Sequence, residues 1–360
     1  MLGGGGVTEN HERGNRMSAL LLLLLVSPPA QSPEGSGAET AFAKLDEAIT
    51  AHMKTLGAKA ATVAVSKNGE ILHSKGFGTS DQAGRKACPP GALMRVASVS
   101  KPVTSAAIRE AVAAGKLTFD DKAFEILAIK EPKNAKVDPE LGKITIRHLL
   151  DHKGGWDRGS GMDPMFSGAR IKSELKLARA VTPADVVRFM NTQPLDFQPG
   201  TKAVYSNFGY CVLGRVLEKK MVKPFPGCLE ELVFRPNGLT DIKLGTDSVS
   251  RRDSREVEYP AEARQFSIEL MDANGGLVAS APALCVFMRH FTLNGERRLP
   301  GGTVDWTYFG SLPGTTAMAR QLPGGLDVAV LINGRRNQSI DADNQALKKA
   351  VEAALKATKP

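Results

Sequence analysis

The chain has 360 residues, 42% hydrophobic and 24% charged, an ordinary globular composition with enough apolar material for a large core or two lobes. Its net charge of +9 comes from dispersed Lys and Arg, in pairs such as Arg251-Arg252, Arg297-Arg298 and Lys348-Lys349 but never in a long block. Nucleic-acid binding needs a clustered basic face with a reading element, so that class is set aside in favour of a solvated basic surface, with attraction to an anionic cell envelope left open.

From the amino terminus, Arg13 and Arg16 precede Ala19, the run Leu20 to Leu25 and Val26, and Pro28-Pro29-Ala30 closes the segment. A basic stretch, a short apolar core and a small-residue exit predict a secretory signal over 1–30 and a secreted or periplasmic protein. The apolar core is well short of the roughly 20 residues a bilayer span needs. Residues 31–39 read as a linker. Ala41 to Lys54 carries Phe42, Leu45, Ile49 and Met53 at helical spacing. Ala61 to Ser66 and Ile71 to Phe77 alternate and meet at Asn68-Gly69, a strong hairpin signal. The stretch from Val103 to Ala114 is an Ala-rich helix with Ile108 and Val112 at i, i+4, stopped by Gly115.

The middle of the chain, 117–285, differs in character. Helical runs (Thr145 to His152, Pro183 to Met190, Asn207 to Lys219, Cys228 to Phe234, Ala281 to Phe291) are separated by Gly- and Pro-rich loops, and 248–266 is charged and aperiodic, read as a surface loop. Toward the carboxyl end, Thr315 to Gln321 and Leu326 to Ile332 form strands joined through Pro323-Gly324-Gly325, and a helix from about Asp343 to Lys356 follows. Helix and hairpin at the start, hairpin and helix at the end, predict an α/β (α+β) architecture. One antiparallel sheet is built from both termini, 40–116 and 286–360, with a mainly helical domain, 117–285, inserted. Four cysteines allow three disulfide pairings. Cys211 and Cys285 sit in apolar helical contexts, so buried free thiols are the preferred reading.

Three short stretches carry the candidate chemistry. In Ser98-Val99-Ser100-Lys101, where a loop turns into a helix, residues i and i+3 share a face. The Lys101 ammonium can then reach the Ser98 hydroxyl, beside the unpaired N–H groups of a helix start. The plainer alternative is Ser98 as an N-cap. In Tyr205-Ser206-Asn207 a phenol able to exchange a proton stands beside a carboxamide able to meet a substrate carbonyl, the alternative being an Asn N-cap. In Phe309-Gly310-Ser311, taken to open the penultimate strand, Gly310 admits a close neighbour and the Ser311 N–H can face Ser98. His148 and His152 are spaced i, i+4, but Leu149 stands where a metalloprotease helix has Glu, so a structural role is preferred and no metal or other cofactor is expected. The sequence holds no G-x-S-x-G elbow, no P-loop and no complete G-x-G-x-x-G.

Taken together, the order Ser-x-x-Lys, Tyr-x-Asn and a Gly strand motif before a final helix resembles the serine β-lactamase-related family. That group holds class C β-lactamases, penicillin-binding D-alanyl-D-alanine peptidases and family VIII carboxylesterases. The resemblance covers about 40–357, through VAVSKNGEILHSKGFG, RVASVSKPVTSAAI, ITIRHLLDHKGGWD, YSNFGYCVLGRVLE, MDANGGLVAS and GSLPGTT. It implies a β-lactamase/transpeptidase-like fold with the site between the sheet domain and the helical one. It also implies Ser98 as nucleophile, Lys101 and Tyr205 sharing acid/base work, Asn207 on the substrate, and the Ser98 and Ser311 N–H groups as oxyanion hole. The substrate would be a small ester, peptide or β-lactam, the alternative being a non-hydrolytic penicillin-binding or sensor protein on the same fold. Two departures stand out. Tyr308 occupies the place where many members have a Lys or His that would pair with a substrate carboxylate, which favours an ester. The interval from Gly276 to Gly310 is short for the family.

Overall fold

The computed structural model describes residues 41–130, 136–159, 161–299 and 301–358. The segments read as signal and linker, 1–39, lie outside the described residues. Helix α1 (Ala43–Leu56) is followed by the hairpin β1 (Ala60–Lys67) and β2 (Glu70–Gly78), with Asn68 and Gly69 both at positive φ in the turn. Strand β3 (Met94–Arg95) leads to α2 (Ser100–Ala113). Then come α3 (Asn207–Met221), β4 (Ile242–Leu244), α4 (Ile268–Gly275), β5 (Leu277–Ala279) and α5 (Ala281–His290). The chain ends in β6 (Trp306–Leu312), β7 (Thr315–Leu322), β8 (Leu326–Ile332) and α6 (Ile340–Ala357).

The main sheet has the order β2-β1-β8-β7-β6 and is antiparallel throughout, so the first hairpin pairs with the last strand, Ala61 opposite Ile332 through Lys67 opposite Leu326. Period-2 alternation sorts its side chains. Val63, Val65, Val328 and Val330 point to one face, where Leu45 and Ile49 of α1 and Leu347 and Val351 of α6 cover them. Ala60, Ala64, Ala317, Ala319 and Ala329 point to the other face and join the large core with α5 and the helices of the middle segment. Alanine there lets α5 lie close enough for the Cys285 thiol to reach the Ala64 carbonyl at 3.6 Å. All four cysteines are buried and free.

The structure departs from the sequence reading in three places. Phe309-Gly310-Ser311 does not open the penultimate strand. It lies near the end of β6, a strand of its own at the sheet edge, which turns at Pro313-Gly314 into β7. An edge strand half open to solvent carries no sharp apolar alternation, so it left little trace in WTYFGSL. A second sheet, β3-β5-β4, went unforeseen because strands of two and three residues are too short for periodicity. The segment 248–266 is not simply a surface loop: Val257, Tyr259 and Ala263 are buried, and the Arg95 N–H donates to the Tyr259 hydroxyl at 2.7 Å. Its burial comes from packing beside β3, which no local pattern announces.

Candidate active site

Ser98 sits in a single 3-10 turn, Ala97–Val99, between β3 and α2. Its neighbour Ala97 has φ +47°, a left-handed conformation that costs an L-residue about 1–2 kcal/mol. The turn is held on two sides. The Val96 N–H donates to the Leu277 carbonyl, and Gly310 of β6 lies flush against it. A Cβ on Gly310 would come within 2.2 Å of the Val96 carbonyl oxygen and 3.1 Å of the Ser98 nitrogen. This close approach, not flexibility, is why a glycine stands there. It brings Ser311 beside Ser98 on one wall of the cleft, and the interval after Gly276, short as it is, still delivers β6 to that place. Because β6 ends the sheet, alternate N–H groups along it have no strand to pair with.

The N-cap alternatives fall on both motifs. Val99 is the N-cap of α2 and its side chain makes no cap bond; the Ser98 hydroxyl instead accepts from the Tyr205 hydroxyl at 2.7 Å and from Lys101 Nζ at 3.3 Å. Ser206, not Asn207, caps α3, its hydroxyl accepting from the Gly209 N–H. That frees the Asn207 carboxamide, whose Oδ1 accepts from Lys101 Nζ at 2.8 Å while its Nδ2 donates to Asp163 at 2.7 Å. Ser98, Lys101, Tyr205 and Asn207, four of the six residues singled out in the sequence, are thus linked by hydrogen bonds, with Gly310 and Ser311 against them.

Lys101 is fully buried and spends its three donors on Ser98, Asn207 and the Asn274 carbonyl, the last at 2.6 Å. Burial pulls its pKa below the ordinary lysine value, and the neighbouring Tyr205 and Asp163 oppose the shift. Lys101 Nζ and the Arg158 guanidinium each lie 4.8 Å from the centre of the Tyr205 ring. Behind the phenol, the His152 ring packs at 4.7 Å, its Nδ1 accepting from the Ser206 N–H. His148 instead completes a capping box with Thr145. The two histidines thus have separate structural partners. Tyr308 is packed against Tyr205, and burial raises its pKa well above the ordinary tyrosine value.

These groups open onto a cleft of about 430 Å³ lined by Ser98, Tyr205, Asn207 and Ser311, together with Arg158, Phe166, Asn274 and Arg335. Among the described residues the Ser311 hydroxyl and the Asn274 Nδ2 are buried without a partner. Asp163, Arg158 and Asn274 were missed in the sequence. Only Asn274 left a signal, lying inside the MDANGG stretch already marked. The arrangement can deprotonate a serine, hold a carbonyl beside it and return a proton to a leaving group.

The Beta-lactamase family model matches residues 45–342. A probable fimbrial assembly protein FimD, serogroup H1, of Dichelobacter nodosus is 33% identical over 225 residues, 61% of this chain and 54% of that protein. Esterase EstB of Burkholderia gladioli is 29% identical over 251 residues, 67% of this chain and 62% of the esterase. This chain therefore spans little more than half the length of these relatives. Among solved structures, the octameric penicillin-binding protein homologue from Pyrococcus abyssi superposes with a TM-score of 0.65 at 20% identity, over 85% of this chain and 77% of that one, a likeness of fold. Among the described residues no helix is long and apolar enough to cross a membrane.

Proposed function

The chain belongs to the beta-lactamase family, and from that premise we propose an exported serine hydrolase that works through an acyl-Ser98 intermediate on a small ester, with amides and β-lactams as less favoured substrates. The observation that carries it is the Ser98 hydroxyl held at 2.7 Å from the Tyr205 hydroxyl and 3.3 Å from Lys101.

In this reading Ser98 attacks the substrate carbonyl and its proton passes into the Lys101–Tyr205 pair. The oxyanion is met by the Ser98 and Ser311 N–H groups, and Asn207 orients the substrate. The leaving alkoxide takes the proton back from Tyr205, and water repeats the sequence on the acyl-enzyme. A neutral lysine at pH 7 costs about 4.6 kcal/mol in water; the complete burial of Lys101 offsets part of that. Lys101 and Tyr205 act as one proton-sharing pair rather than as separate groups. The ester preference rests on Tyr308, a phenol at the sequence position where many members of the family carry a Lys or His that would pair with a substrate carboxylate.

Ser98→Ala should abolish hydrolysis of p-nitrophenyl butyrate in a chain that remains folded; full activity in that variant sinks the assignment. Wild type assayed beside a chromogenic cephalosporin separates the substrates. Covalent labelling of Ser98 without turnover of either would favour the penicillin-binding or sensor alternative.

A further inference from the structure

A second cavity, of about 680 Å³, adjoins the Ser98 cleft across one side chain: Phe166 lines both, and it is 48% exposed. An apolar ring left open to solvent between two cavities is a surface on which a ligand's apolar segment can lie. Phe266, 6.2 Å from Phe166 ring to ring, continues that surface into the second cavity.

The lining of this cavity is also cationic. Arg95 and Arg252 both line the second cavity. Arg95 is 3% exposed, its guanidinium 4.2 Å from the Tyr259 ring centre and 5.4 Å from that of Phe266. One of its terminal nitrogens donates to the Ala263 carbonyl. In both arginines the Nε–H is buried without an acceptor, and among the described residues neither lies within ion-pair distance of a carboxylate. A buried guanidinium is ordinarily paired, because desolvating an uncompensated charge is costly. Two acids lie nearby, neither in direct ion-pair contact with these guanidinium groups. Asp247 lines the same cavity but its oxygens are taken by the Ser267 hydroxyl and the Ile268 N–H at the start of α4. Glu256 lies beside both arginines without an ion-pair contact to either, and burial raises its carboxyl above the ordinary value. Arg264, exposed at the rim, adds another cation.

Arg95 also lies close to the reacting centre. It is three residues before Ser98, so their Cα atoms are at most about 11 Å apart even for extended chain. Resting on the hydrolase reading above, we propose that this cavity is a subsite for a carboxylate carried at the far end of the substrate, joined to the scissile carbonyl by an apolar spacer that lies on Phe166. The substrate class is thus an elongated ester with a terminal acid. The carboxylate is remote from the bond that breaks, which distinguishes it from one held next to the reacting carbonyl. A guanidinium offers it two parallel N–H donors, the arrangement that gives the strongest charge-assisted pairs.

The test uses the full chain and two probe series. In one, p-nitrophenyl half-esters of dicarboxylic acids from succinate to suberate are compared with neutral p-nitrophenyl esters of the same acyl length. In the other, butyrates of ω-(4-hydroxyphenyl)alkanoic acids are compared with their methyl esters, to place the acid on the leaving group. The quantity read is the ratio of kcat/KM, charged over neutral, at each length. In one series the ratio should peak at an intermediate length at roughly 10-fold or more, the scale of one charge-assisted hydrogen bond. It should fall to near unity in Arg252→Gln and recover in Arg252→Lys. Because each ratio is internal to one variant, a general loss of folded enzyme does not imitate the result. A flat ratio in both series, or a peak that survives Arg252→Gln, overturns the subsite while leaving the hydrolase reading intact. No turnover of the neutral esters by wild type overturns the hydrolase reading and the subsite with it.

Discussion

Lys101 meets two opposing demands at one atom. Its complete burial favours the neutral amine that can take a proton from Ser98, yet its three acceptors favour the ammonium. Asp163 belongs to this balance, because its bond to Asn207 Nδ2 turns the carboxamide oxygen, and not the nitrogen, toward Lys101. His152 shows the same economy of charge. Burial, with the Lys101 charge adding to it, holds its pKa down to about 4, against an ordinary value of 6.5. Between those values the unfolded chain binds a proton that the folded chain does not. Stability is therefore full above about pH 6.5 and is lost as the pH falls toward 4, by about 2 kcal/mol between pH 7 and pH 5. Chemical denaturation at the two pH values should show that loss, and His152→Gln should remove most of it. An equal pH dependence in the variant would assign the acid sensitivity to other groups. None of this was legible locally: Asp163 and Tyr210 reach Asn207 and His152 only through the folded chain.

At the scale of elements, the site depends on how closely β6 approaches the Ala97–Val99 turn. Gly310 is the contact that permits it, since any side chain would meet the Val96 carbonyl. Gly310→Ala should push β6 and Ser311 away from Ser98. We expect kcat/KM to fall by about 100-fold or more, the scale of losing an oxyanion donor, with a much smaller effect on acylation-independent properties such as the cooperativity of unfolding. Retention of wild-type kcat/KM would mean that the strand has no part in the chemistry. The glycine was visible in the sequence, while the strand that carries it was placed one element too late, because an edge strand lacks the two-sided burial that produces a strong pattern. A further tie between elements is the buried pair of Arg215 on α3 and Asp272 on α4, 2.5 Å apart, which joins the helix bearing Asn207 to the one bearing Asn274.

For the whole molecule, the sheet has two buried faces with different duties. The alanine face packs on the core from which α2 and α3 present the site; the valine face is closed by α1 and α6. Leu347 of α6 is fully buried in the second cluster, on the sheet face opposite the one that packs toward α2 and α3. Leu347→Ala should cost 2–5 kcal/mol, roughly the range for a large-to-small core change, measured by urea denaturation, while kcat of the folded fraction stays as in wild type. A loss of kcat with unchanged stability would show that the two faces are coupled. Closure of the sheet by strands from opposite ends of the chain also makes the fold rich in long-range pairings, so the site forms only when the ends meet.

By itself the sequence determined whatever depends on short spacing: the two hairpins, the Ser-x-x-Lys and Tyr-x-Asn stretches, the glycine at 310 and, through their order, the family. Those features are set by backbone geometry over a few residues. Only the tertiary structure decided that Tyr205 stands against Ser98, that the Asn274 carbonyl and Asp163 complete the Lys101 network, and that 248–266 is packed inward beside Arg95. Those contacts join positions 44 to 173 residues apart, and no periodicity within a segment encodes what a distant segment will place beside it.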